Sequence, residues 1–187
     1  MRLFLAINLD PATRRDLVDA TEPLRAMMPD ASWTPEPKLH LTLRFLGEQP
    51  DDVASALAAS MDGVSDRHRS FDMDLRHVGA FPNFRRARVV WMGVEPSARL
   101  ELLHHDVEVA CDALGLGVEG RPFRPHVTLA RIRARQEESV MRSLARAGRG
   151  IDFERGVQVK SIDLMRSTLG HGGSTYERLH TSPLRGL

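Results

Sequence analysis

The feature that most constrains this chain is a short run that occurs twice, at residues 40–43 and 126–129. Each run places a histidine two residues before a threonine, with an aliphatic residue after each of them. Both runs lie in segments that predict β-strands, residues 39–46 and 126–132. Because alternate side chains of a strand share a face, the histidine and threonine of each run point together, away from the aliphatic pair. The repeat predicts two strands that each carry one imidazole and one hydroxyl on a single face.

The composition is that of a globular protein. Of the 187 residues, 42% are hydrophobic and 27% are charged, and the net charge is +1, which argues against disorder and against a surface that coats nucleic acid. No apolar run approaches the roughly 20 residues of a membrane-spanning helix. The single cysteine, Cys111, allows no internal disulfide and fits a reducing compartment. We expect a cytoplasmic monomer without a membrane segment.

The periodicity of apolar residues predicts an α+β fold. Strands are predicted at residues 2–8, 39–46, 71–78, 87–94, 126–132, 153–165 and 175–180. Helices are predicted to begin near residues 11, 51, 97 and 136, the first of them ended or kinked by Pro23. Each half then has a helix behind a sheet and one His-x-Thr strand. We therefore predict an internal duplication with a pseudo-two-fold axis, folded as one bilobal domain over residues 1–187.

Two such strands side by side would line one pocket with two imidazoles and two hydroxyls. In-line displacement at phosphorus needs a base on one side and an acid on the other, and histidine changes charge near neutral pH. A metal site is the alternative use of two histidines. No carboxylate or cysteine stands at ligand spacing beside either one, and threonine is a poor ligand for zinc. The pattern favours phosphate chemistry with no metal and no cofactor.

Longer stretches of the chain carry a family resemblance. They are residues 2–7 (RLFLAI), 39–47 (LHLTLRFLG), 79–82 (GAFP), 88–91 (RVVW) and 121–131 (RPFRPHVTLAR). With these residues the chain resembles the 2H phosphoesterases, and within them the RNA 2′,3′-cyclic phosphodiesterases, also called 2′-5′ RNA ligases. The resemblance implies a bilobal α+β fold in which two antiparallel sheets, with helices packed outside, form a central V-shaped cleft.

The resemblance also implies roles for the motif residues. A terminal 2′,3′-cyclic phosphate would be hydrolysed to a 2′-phosphate without metal, with His40 as the acid and His126 as the base. Thr42 and Thr128 would bond the phosphate oxygens, and Arg131 would contact the phosphate. The near-symmetric motifs themselves leave open which imidazole is the acid and which is the base.

Strand alternation also predicts where other candidate site residues point. Counted from His126, position 131 falls on the wrong face of the strand, unless a bulge re-aims Arg131 or the strand ends before it. Arg44 has the parity of His40 and is predicted to point toward the cleft. Phe81, in a predicted loop, is a candidate for stacking on a base, whereas Trp91, within a strand, is predicted to be core.

The expected partner is RNA with a 2′,3′-cyclic phosphate end, or a short oligonucleotide. Formation of a 2′-5′ bond by the same two histidines is a further activity that the resemblance implies. Two alternatives stay open: a phosphodiesterase for small cyclic phosphates, such as nucleoside or ADP-ribose cyclic phosphates, and a non-catalytic module that binds RNA ends. A plain turn is predicted around His171.

Overall fold

The structure is a computed structural model, and it describes residues 1–170 and 173–186, so the predicted turn at His171 lies outside the described residues. The strands are β1 (Arg2–Asn8), β2 (Ser32–Trp33), β3 (His40–Glu48), β4 (Phe71–Phe81), β5 (Val89–Val94), β6 (His126–Arg131), β7 (Glu154–Val159), β8 (Ser161–Gly170) and β9 (Gly173–Pro183). The α-helices are α1 (Pro11–Ala20), α2 (Glu22–Met27), α3 (Asp51–Ser65), α4 (Ala98–Ala113) and α5 (Glu138–Arg149).

These strands pair antiparallel in the order β7-β4-β5-β6-β3-β1-β8-β9, with the short β2 beside β6. The first half-sheet is β3-β1-β8-β9, and the second half-sheet is β6-β5-β4-β7. Within the described residues the two are joined where Leu41 of β3 pairs with Val127 of β6. The predicted α+β class is confirmed. The two predicted sheets are joined into one sheet, because this single pair connects the two half-sheets.

The helices cover the face of the sheet that carries the aliphatic motif residues. Helix α3 packs against β8 and β9, α4 against α3 and β3, and α5 against β4 and α2. Leu41 and Val127 are fully buried in the resulting core. The opposite face, which carries the motif histidines, is thereby left to line a cleft. None of the helices in the described residues is long and apolar enough to cross a membrane.

The order of elements repeats around the central pair. Strand β1 leads through α1 and α2 to the motif strand β3 and then to α3, while β5 leads through α4 to the motif strand β6 and then to α5. This order is what an internal duplication would leave, and the duplication itself stays a prediction. The predicted segment 153–165 divides into β7 and β8, because the chain crosses at Lys160 from the second half-sheet to the first.

The first helical region shows how local residues set its ends. The Asp10 side chain accepts a hydrogen bond from the Thr13 backbone N–H at 3.0 Å, which caps α1, and Pro11 occupies the first turn. Pro23 lies in the first turn of α2, where its missing N–H removes no helical hydrogen bond. The predicted helix end at Pro23 is therefore a break between two helices.

Both motif strands contain a bulge at the same distance from their histidine. On β6 the pairing with β5 skips Leu129, and on β3 the pairing with β1 skips Leu43. Leu129 and Ala130 are consecutive buried residues, and so are Leu43 and Arg44. An extra residue shifts the alternation of side chains by one place. Residues beyond each bulge therefore face the side opposite to the one that simple counting predicts.

The bulge in β3 overturns the prediction for Arg44. Its side chain is only 6% exposed and lies under α4, where its guanidinium pairs with the carboxylate of Glu108. It also donates to the backbone oxygen of Gly117 at 3.1 Å. The prediction that Arg44 points into the cleft is wrong, because the extra residue turns it toward the helices. It holds α4 and the following loop against the sheet.

Arg44→Ala should lower the free energy of unfolding by about 3–5 kcal/mol, because it leaves the buried Glu108 carboxylate without its partner. The measurement is denaturant unfolding followed by circular dichroism. Arg142→Ala is the matched control: it removes an exposed ion pair with Glu138 on α5, which is worth about 0.5 kcal/mol or less. Equal losses in the two variants would contradict the buried-pair assignment.

Candidate active site

The two motif histidines are held in the same way by the backbone before them. His40 Nδ1 lies 2.7 Å from the carbonyl oxygen of Lys38, and His126 Nδ1 lies 2.6 Å from that of Arg124. Because a carbonyl oxygen only accepts, each Nδ1 carries the hydrogen and donates it. Each Nε2 is then the ring atom available for proton transfer. His40 Nε2 lies 3.0 Å from the Thr42 hydroxyl oxygen.

The pairing of Leu41 with Val127 brings the two motifs together. In an antiparallel pair the residues on either side of a pairing are also cross-strand neighbours. His40 therefore lies beside Thr128, and His126 lies beside Thr42. The structure thus gathers the four motif side chains on one patch, as the repeated sequence predicts.

A cavity of about 470 Å³ adjoins this patch and draws its wall from both half-sheets. Its lining residues are Arg2, Leu3, Phe4, Thr34, Lys38, His40, Thr42, Phe45, Thr128, Arg131, Ser167, Leu169, Ser174 and Tyr176. Three of them are cations and none is an aspartate or glutamate, so the described wall is positively charged. This charge suits an anionic ligand. Within the described part of the chain, His, Cys, Asp and Glu side chains form no group of three that would hold a metal.

Arg131 lies in the wall of this cavity, despite the parity that a regular strand predicts. It follows the bulge at Leu129, and its backbone pairs with Val89 of β5 and Ser32 of β2. Of the two explanations that the sequence allowed, the structure shows the bulge. The positive charge of Arg131 lowers the pKa of both motif histidines.

Burial and positive neighbours act together on the two imidazoles. Burial lowers the pKa of His40 below its ordinary value of 6.5, its hydrogen bond to Lys38 opposes this, and His126 and Arg131 lower it further. The pKa of His126 is lowered by burial and by Arg131, against its bond to Arg124. At neutral pH both rings are therefore mostly uncharged in the free protein, and an anion in the cavity would favour the protonated form.

The first aromatic surface, Phe4, Phe45 and Tyr176, lies beside His40. The Tyr176 ring is 5.5 Å from the His40 ring at an interplanar angle of 83°, and Phe4 is 5.1 Å from each of them. Phe45 is 56% exposed and 6.0 Å from Phe4. Sequence reasoning missed this surface. One signal was present: Phe45 is the fifth residue after His40, as Arg131 is the fifth after His126.

The second aromatic surface, Phe81 and Trp91, lies beside His126. The Phe81 ring is 5.0 Å from the His126 ring at 83° and 5.2 Å from Trp91, and all three line a separate cavity of about 370 Å³. Phe81 ends β4 instead of lying in a loop, and its stacking on a base stays a prediction. The prediction that Trp91 is core is wrong, because its side chain is half-buried and lines this cavity. Its indole covers Gly79, where a Cβ would lie 2.1 Å from the ring.

Lys38 is a further cation that the sequence did not single out. Its Nζ donates to the backbone oxygen of Ser174 at 2.6 Å and lies 5.8 Å from the Tyr176 ring centre. Its own carbonyl oxygen holds His40. One residue therefore orients the imidazole through its backbone and adds charge to the cavity through its side chain.

Comparison with known proteins places this geometry in a family. The model of the 2′-5′ RNA ligase superfamily matches residues 14–171. The chain belongs to this family. One relative of the chain, the RNA 2′,3′-cyclic phosphodiesterase of Aeropyrum pernix, is 39% identical to it over 144 residues, which cover 75% of the chain and 79% of the relative. That of Thermus thermophilus is 34% identical over 193 residues, covering 100% and 91%.

Solved structures of similar shape agree with this membership. The protein TT0787 of Thermus thermophilus has a TM-score of 0.84 at 29% identity, covering 100% of this chain and 99% of that one. Escherichia coli LigT complexed with ATP has a TM-score of 0.70 at 25% identity, covering 98% of each chain. The α+β arrangement described above is therefore shared with LigT-type proteins over nearly the whole chain.

Both motif histidines should titrate below 6.5, and Arg131→Ala should raise both pKa values because it removes a positive charge near each ring. The measurement is an NMR titration of the imidazole carbon-bound protons. Arg133→Ala, which removes an arginine two residues further along, should leave both values in place. If Arg131→Ala moves neither pKa, its placement near the two rings is wrong.

Proposed function

We propose that this chain hydrolyses the 2′,3′-cyclic phosphate at the end of an RNA or short oligonucleotide and leaves a 2′-phosphate. The single observation that carries the proposal is the pairing of Leu41 with Val127, which sets two imidazoles, each held through Nδ1 by a backbone oxygen, on one patch beside a cation-lined cavity. The similar proteins of Aeropyrum pernix and Thermus thermophilus are named RNA 2′,3′-cyclic phosphodiesterases, which supports the proposed bond and substrate class. We further propose that the chain works without metal or cofactor, as a cytoplasmic monomer and as one bilobal domain.

In the proposed reaction the two histidines act from opposite sides of the phosphorus. His126 takes a proton from water, the water oxygen attacks phosphorus, and the bond from phosphorus to the 3′ oxygen breaks. His40 donates its proton to that oxygen. The two rings are held alike, so this division of roles rests on the family resemblance. One ring must be neutral and the other protonated, which the negative charge of a bound phosphate favours.

The remaining cavity groups stabilise the charge that develops on the phosphate. Thr42 and Thr128 supply hydroxyl donors from the two motif strands, and Arg131 supplies a guanidinium from beyond the bulge in β6. Donors and cations fixed in advance stabilise a transition state without having to reorganise during the reaction. In the free protein the Thr42 hydroxyl is hydrogen-bonded to His40 Nε2. Binding of phosphate would replace this hydrogen bond with one from the hydroxyl to the substrate.

Small cyclic phosphates are the second candidate substrate, because 470 Å³ is the size of a pocket for a small ligand. Comparing kcat/KM for a cyclic mononucleotide with that for a cyclic-ended oligonucleotide separates the two candidates. A higher value for the oligonucleotide supports action on RNA ends. A wild-type protein that binds such ends but hydrolyses none would instead be a binding module.

His40→Ala and His126→Ala should each lower kcat by about 10²–10⁴-fold on an oligonucleotide with a 2′,3′-cyclic phosphate end, because each removes one proton-transfer group. His105→Ala, which changes an exposed histidine on α4, is the matched control and should keep the wild-type rate. Phosphorus NMR identifies the product. A 3′-phosphate product would show that the acid and the base act in the reverse geometry.

The profile of kcat/KM against pH should be bell-shaped with its maximum below 6.5. The reason is that burial and Arg131 lower the pKa of both histidines in the free protein, so the singly protonated pair is most populated in mildly acidic solution. The profile is obtained from initial rates measured between roughly pH 4.5 and pH 8.5, a range that brackets the ordinary imidazole pKa. Addition of EDTA should change nothing; a maximum above neutrality, or loss of activity with EDTA, contradicts the proposal.

A further inference from the structure

The two aromatic surfaces lie beside different histidines, and we propose that they bind two different nucleosides during 2′-5′ ligation. The second aromatic surface, Phe81 and Trp91, binds the nucleoside whose 5′-hydroxyl attacks. The first aromatic surface, Phe4, Phe45 and Tyr176, binds the nucleoside that carries the cyclic phosphate. This inference rests on the proposed function, because it uses the same acid and the same base.

The geometry around the two histidines is closely matched. The Tyr176 ring stands at 83° to the His40 ring with centres 5.5 Å apart, and the Phe81 ring stands at 83° to the His126 ring with centres 5.0 Å apart. Tyr176 comes from β9 of the first half-sheet and Phe81 from β4 of the second. Aromatic rings are the usual surface on which proteins stack unpaired bases. Each imidazole thus has its own place for a base, on its own side of the cleft.

The cavity at Phe81 and Trp91 has the size and lining for one nucleoside. Its volume of about 370 Å³ lies near the lower end for small-ligand pockets, and Val94 and Pro125 add to its apolar wall. Gly93 also lines this cavity, at a point where the strands approach closely: a Cβ there would lie 2.7 Å from the backbone oxygen of Arg76. A larger residue at this position would therefore require the backbone to shift.

Polar groups at the rim of this cavity are placed to meet a ribose or the edge of a base. His77 and Glu95 line it, with the His77 Nε2 3.9 Å from the Glu95 carboxylate. The His77 side chain is 74% exposed, and its backbone φ of +62° is unusual for a residue other than glycine. Strained backbone of this kind concentrates at ligand sites. Arg76 and Arg124 add positive charge nearby, which suits a nucleoside followed by phosphates.

The direction of the reaction assigns each surface to one nucleoside. In ligation the 5′-hydroxyl takes the place of water: its oxygen bonds to phosphorus, and its proton goes to His126 Nε2. The bond from phosphorus to the 3′ oxygen breaks, and His40 gives its proton to that oxygen. The products are a 2′-5′ phosphodiester and a free 3′-hydroxyl, and nothing else is consumed. Because the attack is in line, the attacking nucleoside must approach from the His126 side, where Phe81 and Trp91 lie.

The test measures ligation and hydrolysis in one reaction. Wild-type protein is given a saturating oligonucleotide with a 2′,3′-cyclic end and increasing amounts of a trinucleotide with a 5′-hydroxyl and a 3′-phosphate. The rate of 2′-5′ joining should rise to a plateau, and hydrolysis should fall at the same trinucleotide concentration, because the bound acceptor displaces water. Phe81→Ala should raise the half-saturating acceptor concentration about tenfold or more, the loss expected from one stacked base.

Two variants separate base binding from damage to the catalytic histidine. Phe81→Tyr keeps an aromatic ring and should keep the wild-type half-saturating acceptor concentration. Damage to His126 would instead lower the rates of joining and hydrolysis without changing that concentration. Phe45→Ala should raise the KM of the cyclic-ended oligonucleotide for both products, while the half-saturating acceptor concentration stays as in wild type.

Other outcomes overturn the inference. Joining that rises linearly with acceptor, without a plateau, shows that no acceptor site exists. If Phe81→Ala raises the KM of the cyclic-ended oligonucleotide and leaves the half-saturating acceptor concentration unchanged, Phe81 contacts the cyclic-ended oligonucleotide and not the acceptor. Wild-type protein that hydrolyses but never joins removes the inference and leaves the proposed function intact. Wild-type protein that does not hydrolyse at all overturns the proposed function itself.

Discussion

The pairing of Leu41 with Val127 is the contact on which the candidate site depends. It joins the two half-sheets, and each of its members is the central residue of a His-x-Thr motif. Both side chains are buried beneath the sheet, so the neighbouring histidines and threonines must face the cleft. A shift of one residue in this register would turn one motif toward the helices and remove its imidazole from the cavity. Burial of two aliphatic side chains thereby fixes the position of four polar ones.

The bulges beyond this pair make a symmetric frame chemically unequal. Each follows its histidine at the same distance, and each turns the fifth residue after that histidine back toward the cleft. On one side that residue is Arg131, and on the other it is Phe45. A cation and an exposed ring thus occupy equivalent places. The same shift sends Arg44 to the helical side, where its charge is used for packing against Glu108.

The electrostatics of the cavity connect binding with proton transfer. A wall with three cations and no carboxylate among its described residues attracts a phosphate, and burial, together with one of these cations, Arg131, lowers the pKa of both histidines. A bound phosphate would oppose this effect and favour one imidazolium. The protonation state needed for catalysis is then reached when substrate is present. The hydrogen bonds from Nδ1 to backbone oxygens keep both rings in the required tautomer throughout.

The sequence by itself determined the local features: the α+β class, the strands that carry the motifs, and the shared face of each histidine with its threonine. These features follow from the alternation of apolar and polar residues along short segments, and that pattern can be read from adjacent positions in the sequence. Only the tertiary structure decided that Arg131 enters the cleft and Arg44 does not, that Trp91 lines a cavity, and that Tyr176 stands beside His40. Those outcomes depend on the register of strand pairing, on the bulges and on contacts between strands that are far apart in the chain. The paired strand decides where an extra residue is accommodated, and the alternation within a single strand does not show it.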